Sequence, residues 1–184
     1  MMQTSYRPHW IREDFVDYVL GQVNPMWTWQ RVMARVDAIE PIADDMIKLT
    51  LSPNKHFNPN QVQAGQFVML TVRIDGVQHQ RAYSLVSSPD SKTLVFGIKK
   101  QGRVSRYLAE RAQVGDVIEI SQAAGEFTLN EAPAAKLFVS AGSGITPIVP
   151  MIKQALSGNN TDAVSLIYYS RDPAFRAELE TLTA

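Results

Sequence analysis

Residues 68–85 read Val68-Met69-Leu70-Thr71-Val72-Arg73-Ile74-Asp75-Gly76-Val77-Gln78-His79-Gln80-Arg81-Ala82-Tyr83-Ser84-Leu85. Val68, Leu70, Val72 and Ile74 alternate with less apolar neighbours, the period of a half-buried strand. Asp75-Gly76 is a turn dipeptide that accepts positive φ at both positions, so the chain reverses there. Gln78–Leu85 reads as the returning strand. Period two puts Arg81 and Tyr83 on one face of it, with Ser84 on the other unless the strand ends there.

The same period continues on both sides of this hairpin. Upstream, Val32, Ala34, Val36 and Ala38 alternate with Arg31, Arg35 and Asp37, and Ile47, Leu49 and Leu51 with Lys48, Thr50 and Ser52. Downstream, Leu94, Phe96 and Ile98 mark a strand after the Pro89-Asp90 turn, and Val117–Ser121 another, entered through Gly115-Asp116. Ser105–Arg111 reads as a short helix between them. Five or six antiparallel strands between Trp29 and Ser121 predict a closed barrel or a sandwich.

The pattern changes at both ends. Ile11, Phe15 and Val19 recur every four residues beside Val16, Leu20 and Val23, an amphipathic helix between Pro8 and Asn24-Pro25. Such a stripe normally packs on its own domain; a partner or a membrane surface is the alternative. After Pro133, Leu137-Phe138-Val139 is a continuous apolar run, as in a strand covered on both faces. The turn Gly142–Gly144, a helix over Pro147–Leu156, a strand over Val164–Tyr169 and a helix over Phe175–Leu182 follow. Strand, helix, strand, helix opens a parallel α/β sheet and amounts to about half of a mononucleotide-binding domain. The expected division is a helical extension over 1–28, a β domain over 29–132 and a partial, truncated α/β domain over 133–184.

Composition is that of a globular protein: 184 residues, 45% hydrophobic and 20% charged. With 18 basic and 18 acidic residues the net charge is zero, which argues against a nucleic-acid partner and gives no polybasic membrane anchor. The absence of cysteine excludes thiol catalysis, disulfides and cysteine-ligated clusters within these residues. His9, His56 and His79 have no metal-ligand spacing and read as surface or strand histidines, so no metal is expected. No apolar run reaches the roughly 18 residues of a membrane span. The N-terminus has no signal-peptide pattern, so a cytoplasmic location is the expectation.

Four segments carry the chemistry. Arg81-Ala82-Tyr83-Ser84 places a guanidinium and an aromatic ring on one strand face, and a guanidinium fork suits a phosphate. An exposed arginine beside a packed tyrosine is the plain alternative. Gly102-Arg103-Val104-Ser105 stands where a strand gives way to a helix, whose first N–H groups and dipole favour phosphate. Ser105 can cap that helix and donate to phosphate, although a glycine turn with a serine cap requires no ligand. Gly142-Ser143-Gly144-Ile145-Thr146-Pro147 follows a buried strand and opens a helix; Gly142 and Gly144 allow the backbone close to a dinucleotide. A generic strand-to-helix turn is the alternative. Tyr169-Ser170-Arg171 ends the second α/β strand, with Asp172 next.

In this order and spacing the four segments resemble the ferredoxin–NADP⁺ reductase family of flavoproteins. Arg81-Ala82-Tyr83-Ser84 is similar to its R-x-Y-[ST] flavin motif, Gly102–Ser105 to its G-x-x-[ST] pyrophosphate motif and Gly142–Pro147 to its G-x-G-[IV]-[TA]-P nucleotide loop. Gly125-Glu126-Phe127 resembles its interdomain segment. The resemblance implies a Greek-key, FAD-binding antiparallel β-barrel followed by a partial NAD(P)-binding domain. It implies that Arg81, Tyr83, Ser84, Gly102, Val104 and Ser105 hold the flavin, with FAD favoured over FMN. It places Ser84 near flavin N5 and Thr146 near the nicotinamide, and makes Tyr83, Ser84 and Thr146 the catalytic set. Gly142, Gly144, Thr146 and Pro147 would bind the nucleotide. Ser170 and Arg171 would meet its 2′-phosphate, giving NADPH preference over NADH; if Asp172 faces the ribose instead, the preference reverses.

The implied activity is electron transfer from NAD(P)H through FAD to a ferredoxin-like or other iron–sulfur acceptor, on a partner or in the missing C-terminal part. The family continues for several more strands, including a cysteine-containing segment, so turnover by these residues alone is an open question. Two other readings remain: a non-catalytic flavin-binding module of a larger electron-transfer complex, and a β-barrel interaction domain without flavin.

Overall fold

The computed structural model describes residues 13–89, 91–130, 132, 134–157 and 163–182. In chain order they form α1 (Glu13–Val23), β1 (Met33–Ala43), β2 (Met46–Pro53), β3 (Phe67–Ile74), β4 (Val77–Ser84), β5 (Leu94–Lys99), α2 (Arg103–Glu110), β6 (Val117–Ile120), β7 (Lys136–Ala141), α3 (Ile145–Ser157), β8 (Val164–Tyr169) and α4 (Arg176–Thr181). The β3–β4 hairpin is the one the sequence predicts. Asp75 and Gly76 adopt φ of 51° and 79°, the left-handed pair that a two-residue turn needs. The helix after Gly144 begins two residues earlier than Pro147 and includes Ile145 and Thr146.

β1 to β6 form one antiparallel sheet in the order β4-β3-β6-β1-β2-β5. It does not close into the expected barrel. β4 and β5, the two edges, are joined by backbone pairing only beyond the end of β4, through the Leu85–Phe96 bridge and the Val86 N–H donating to the Val95 carbonyl at 2.7 Å. Inside the curl, the alternate residues Val36, Leu49, Leu51, Val68, Leu70, Phe96 and Ile98 are fully buried, with Leu108 of α2. Burying such side chains contributes about 1.5–3 kcal/mol each, which fixes the register of every strand that supplies one.

β7 and β8 pair in parallel and α3 packs on one face of them. A second apolar cluster there joins Ile145, Ile148, Val149 and Ile152 to Phe175 and to Met46 and Val86 of the first unit. The strands were expected to be covered on both faces. Among the described residues only one face is: Leu137, Val139, Ile167 and Tyr169 point to solvent, Tyr169 at 80% exposure.

The amphipathic stripe of α1 is also corrected. Phe15, Val19 and Val23 are exposed, as are Tyr18, Trp27 and Trp29; Ile11 lies outside the described residues. Among the described side chains of this helix the buried one is Asp17, whose Oδ1 accepts from the Trp29 N–H at 2.5 Å and whose Oδ2 accepts from Arg31 Nε at 2.8 Å. Val16 and Leu20 of the stripe are half-buried beside it, and the buried carboxylate is paired, as it must be. No helix among the described residues is long and apolar enough to cross a membrane.

Candidate functional site

β4 is an edge strand, and this gives its inner face two natures. In the β3–β4 register Val72 faces His79, Leu70 faces Arg81 and Val68 faces Tyr83. Opposed residues of an antiparallel pair share a face, so His79, Arg81 and Tyr83 leave β4 on the core side. Because β5 does not pair along β4, that side opens into a cavity of about 470 Å³ instead of filling with apolar side chains. The volume is within the range of small-ligand sites.

Three further elements complete the walls. From β5 come Gly97 and Lys99, from the start of α2 come Gly102 to Ser105, and from the loop into α3 come Ser143, Gly144, Thr146 and Pro147. Gly97 allows the close approach of the last group: a Cβ there would lie 2.6 Å from Thr146 Cγ2 and from Met46 Cε, and 2.9 Å from Phe175 Cε2. The structure thus brings together Arg81, Tyr83, Ser84, Gly102, Val104, Ser105, Gly144, Thr146 and Pro147. Ser84 joins them although it alternates with Tyr83, because β4 ends there.

Gly142, Ser170 and Arg171 do not line this cavity. Gly142 takes φ 53° and its carbonyl accepts from the Tyr168 hydroxyl at 3.1 Å. Ser170 Oγ donates to the Asp172 carbonyl at 2.8 Å, and Asp172 Oδ2 accepts from the Asp44 N–H at 2.7 Å. Asp172 is therefore tied to the β1–β2 turn, and Arg171 stands exposed beside it.

The walls carry Arg81, Lys99, Arg103 and His79 and no carboxylate. Lys99 pairs with Asp45 at 3.3 Å and Arg103 with Asp75 at 2.8 Å, both acids lying outside the cavity. Arg81 has no acidic partner among the described residues; its Nη1 donates to the Gln80 carbonyl at 2.7 Å. At α2, Gly102 is the N-cap and has no side chain to cap with, so among the described residues no side chain accepts from the N–H groups of residues 103–105. Ser105 is committed locally: its Oγ accepts from the N–H of Gly102 at 2.9 Å and of Gln101 at 3.1 Å, and donates to the Gly102 carbonyl at 3.0 Å. It shapes the helix start.

Burial pushes the Tyr83 phenol above its usual pKa, against the opposing pull of Arg81 and of hydrogen bonding to Ser105. Tyr83 is a neutral, half-buried ring that lines the cavity. Thr146 is buried and its Oγ1 donates to the Ser143 carbonyl at 3.0 Å, which turns its methyl group toward Gly97.

Four wall residues stand outside the quoted motifs: His79, Gly97, Lys99 and Gln101. His79 was legible in principle, two residues before Arg81 on the same strand face. Gly97 and Lys99 were not, since their position depends on β5 lying across an open edge from β4. His56 Nε2 lies 3.0 Å from the Thr28 carbonyl, a structural contact, and His9 lies outside the described residues. Among the described residues no three histidine or acidic side chains cluster as a metal site requires.

Arg81 without an acidic partner, an uncapped helix start and acid-free walls fit a ligand that carries phosphate, and the Tyr83 ring fits an aromatic part of it. A flavin nucleotide has both. Comparison with known proteins agrees. The chain is 30% identical over 178 residues to an NADPH oxidoreductase of Mycobacterium tuberculosis, covering 91% of this chain and 47% of that one. It is 38% identical over 120 residues to a flavohemoprotein of Bacillus subtilis, covering 64% and 30%. It thus spans under half the length of these relatives. The solved structure of phthalate dioxygenase reductase, described as modular for electron transfer from pyridine nucleotides to [2Fe-2S], superimposes with a TM-score of 0.69 at 28% identity, covering 80% of this chain and 47% of that one. Residues 33–129, more than half of the chain, match the oxidoreductase FAD-binding domain, and the protein belongs to that family, among the relatives of ferredoxin–NADP⁺ reductase.

Proposed function

We propose that this chain holds FAD between β4, β5 and the start of α2, and that it passes electrons from NADPH to an iron–sulfur or heme acceptor. The observation that carries the reading is the meeting of an unpaired Arg81, the uncapped start of α2 and the Tyr83 ring in one acid-free cavity. FAD, when bound, supplies hydride acceptance from the nicotinamide and stepwise release of electrons.

The chain's own residues bind and orient. Arg81 and the N–H groups of residues 103–105 would hold the phosphates, the first by charge and the second by aligned donors. Tyr83 presents its ring and its hydroxyl beside them. Ser84 and Thr146 mark the end of the cavity where the two units meet, so the reacting ring belongs there. Gly144 and Pro147 form the opposite wall, from which a nicotinamide would approach.

The same proposal divides the chain into 1–28, a flavin unit over 29–132 and a nucleotide unit over 133–184. NADPH preference is supported by Asp172, which is held by the β1–β2 turn and leaves Arg171 to face a 2′-phosphate. The name of the Mycobacterium tuberculosis relative agrees with it. The acceptor class follows from the relatives: one is a flavohemoprotein, and one delivers electrons to [2Fe-2S].

The visible spectrum of the purified chain tests the reading. A flavin spectrum, with FAD as the released compound and bleaching on anaerobic addition of NADPH, is expected. A flavin spectrum that NADPH does not bleach would favour the flavin-binding module of a larger complex. A colourless protein that takes up no FAD would refute the reading.

A further inference from the structure

We propose that His79 contacts the adenylate half of the flavin dinucleotide and thereby sets a preference for FAD over FMN; this rests on the flavin reading above. Two buried side-chain polar atoms have no hydrogen-bond partner among the described residues, Ser140 Oγ and His79 Nε2. Of the two residues, only His79 lines the cavity. A buried polar atom without a partner costs free energy, so the arrangement calls for an explanation.

The strand geometry says which part of the ligand is within reach. Alternate residues of a strand lie about 7 Å apart on one face. Ser84 and Tyr83 stand at the end of the cavity shared with Thr146 and Pro147. Arg81 comes one step along β4 from Tyr83, which lies beside Ser105 of α2. His79 comes one step further, facing Val72, away from the seam between the two units. A ligand that ends at its first phosphate stops at Arg81. A ligand that continues through a second phosphate and a ribose reaches His79.

The chemistry of the imidazole matches. One ring nitrogen can donate to a phosphate oxygen, and the other can accept from a ribose hydroxyl. The ring already borders the cavity, and its χ2 is a broad two-fold torsion about which a ligand can re-aim Nε2. The nearby charges favour the same ligand. Arg81 and Arg103 are cationic, and the nearest acid of the hairpin turn, Asp75, is engaged by Arg103 at 2.8 Å and Arg111 at 3.9 Å.

The experiment is a titration of the flavin-free full chain with FAD, FMN and riboflavin, followed by quenching of flavin fluorescence. Wild type is compared with His79→Ala and His79→Gln. His79→Ala should bind FAD about tenfold more weakly or worse, the loss of one hydrogen bond to a charged group. It should bind FMN and riboflavin as wild type does, which also reports an intact fold. His79→Gln keeps an N–H donor and should recover most of the FAD affinity. Equal losses for FAD and FMN, or unchanged FAD affinity in His79→Ala, overturn the proposal. Wild type that binds FAD beside an unaffected His79→Ala removes His79 alone; wild type that binds no flavin removes the flavin reading together with it.

Discussion

Replacing Gly97 by alanine probes the seam on which the cavity depends. The added methyl would lie 2.6 Å from Met46 Cε, 2.6 Å from Thr146 Cγ2 and 2.9 Å from Phe175 Cε2. All three distances are well inside carbon–carbon contact, near 3.5–4.0 Å. The three neighbours do not yield equally. Met46 ends in a flexible thioether and can turn away at little cost. Thr146 is β-branched, lies in the first turn of α3 and is anchored through its hydroxyl to the Ser143 carbonyl. Phe175 already holds φ 59°, an uncommon conformation for a bulky residue. Relief must therefore come from a shift of the α3 loop away from β5. Overpacking of this kind costs about 1–3 kcal/mol, and the stiffer unfolded chain of alanine returns about 0.4–1 kcal/mol. The net expectation is a destabilisation of roughly 1–2 kcal/mol. Urea unfolding of the flavin-free chain measures it. Thr146→Ser removes the clashing methyl and keeps the hydroxyl, so in a double-mutant cycle it should recover part of the loss as a favourable coupling between the two positions. A Gly97→Ala variant as stable as wild type, or a coupling of zero with Thr146→Ser, would refute the argument that Gly97 sets the approach of the two units.

Three further outcomes are expected. Gly102→Asp supplies α2 with the side-chain cap it lacks and should stabilise the apo chain by roughly a few tenths of a kcal/mol, yet weaken FAD by about tenfold or more, because its carboxylate occupies the helix N–H groups and repels phosphate; paired thermal melts and flavin titrations separate the two effects. Asp17 loses some affinity for its proton: burial raises its pKa, and the Trp29 N–H and Arg31 more than offset this, leaving it below the ordinary value. Its contribution to holding α1 is present above the ordinary carboxylate pKa and is lost as pH falls through the lowered one, so an acid titration of Trp27 and Trp29 fluorescence should show a transition below about pH 4 that Asp17→Asn abolishes. Arg171→Ala should weaken NADP⁺ by about 1.5–3 kcal/mol and leave NAD⁺ unchanged in calorimetry; equal losses would take Arg171 away from the 2′ position.

The strands, the Asp75-Gly76 turn and the helices over Arg103–Glu110 and Ile145–Ser157 were legible in the sequence because each rests on local signals: a period of two or 3.6, and turn residues whose φ is fixed by their own chemistry. Most of the cavity residues were legible for the same reason, as short motifs on a strand end or a helix start. Tertiary structure decided what neighbours in sequence cannot. Whether β4 and β5 pair depends on the curl of the whole sheet, and their failure to close turns the core side of Arg81 into a cavity wall. The need for a glycine at 97 arises only when Thr146 and Phe175, far along the chain, arrive at that strand. An apolar stripe gives the period of α1 but not the face that meets the protein; that choice fell to Asp17, because a buried carboxylate must find Trp29 and Arg31. The run Leu137-Phe138-Val139 likewise marks a strand, while the side of it that is covered depends on which elements lie against it.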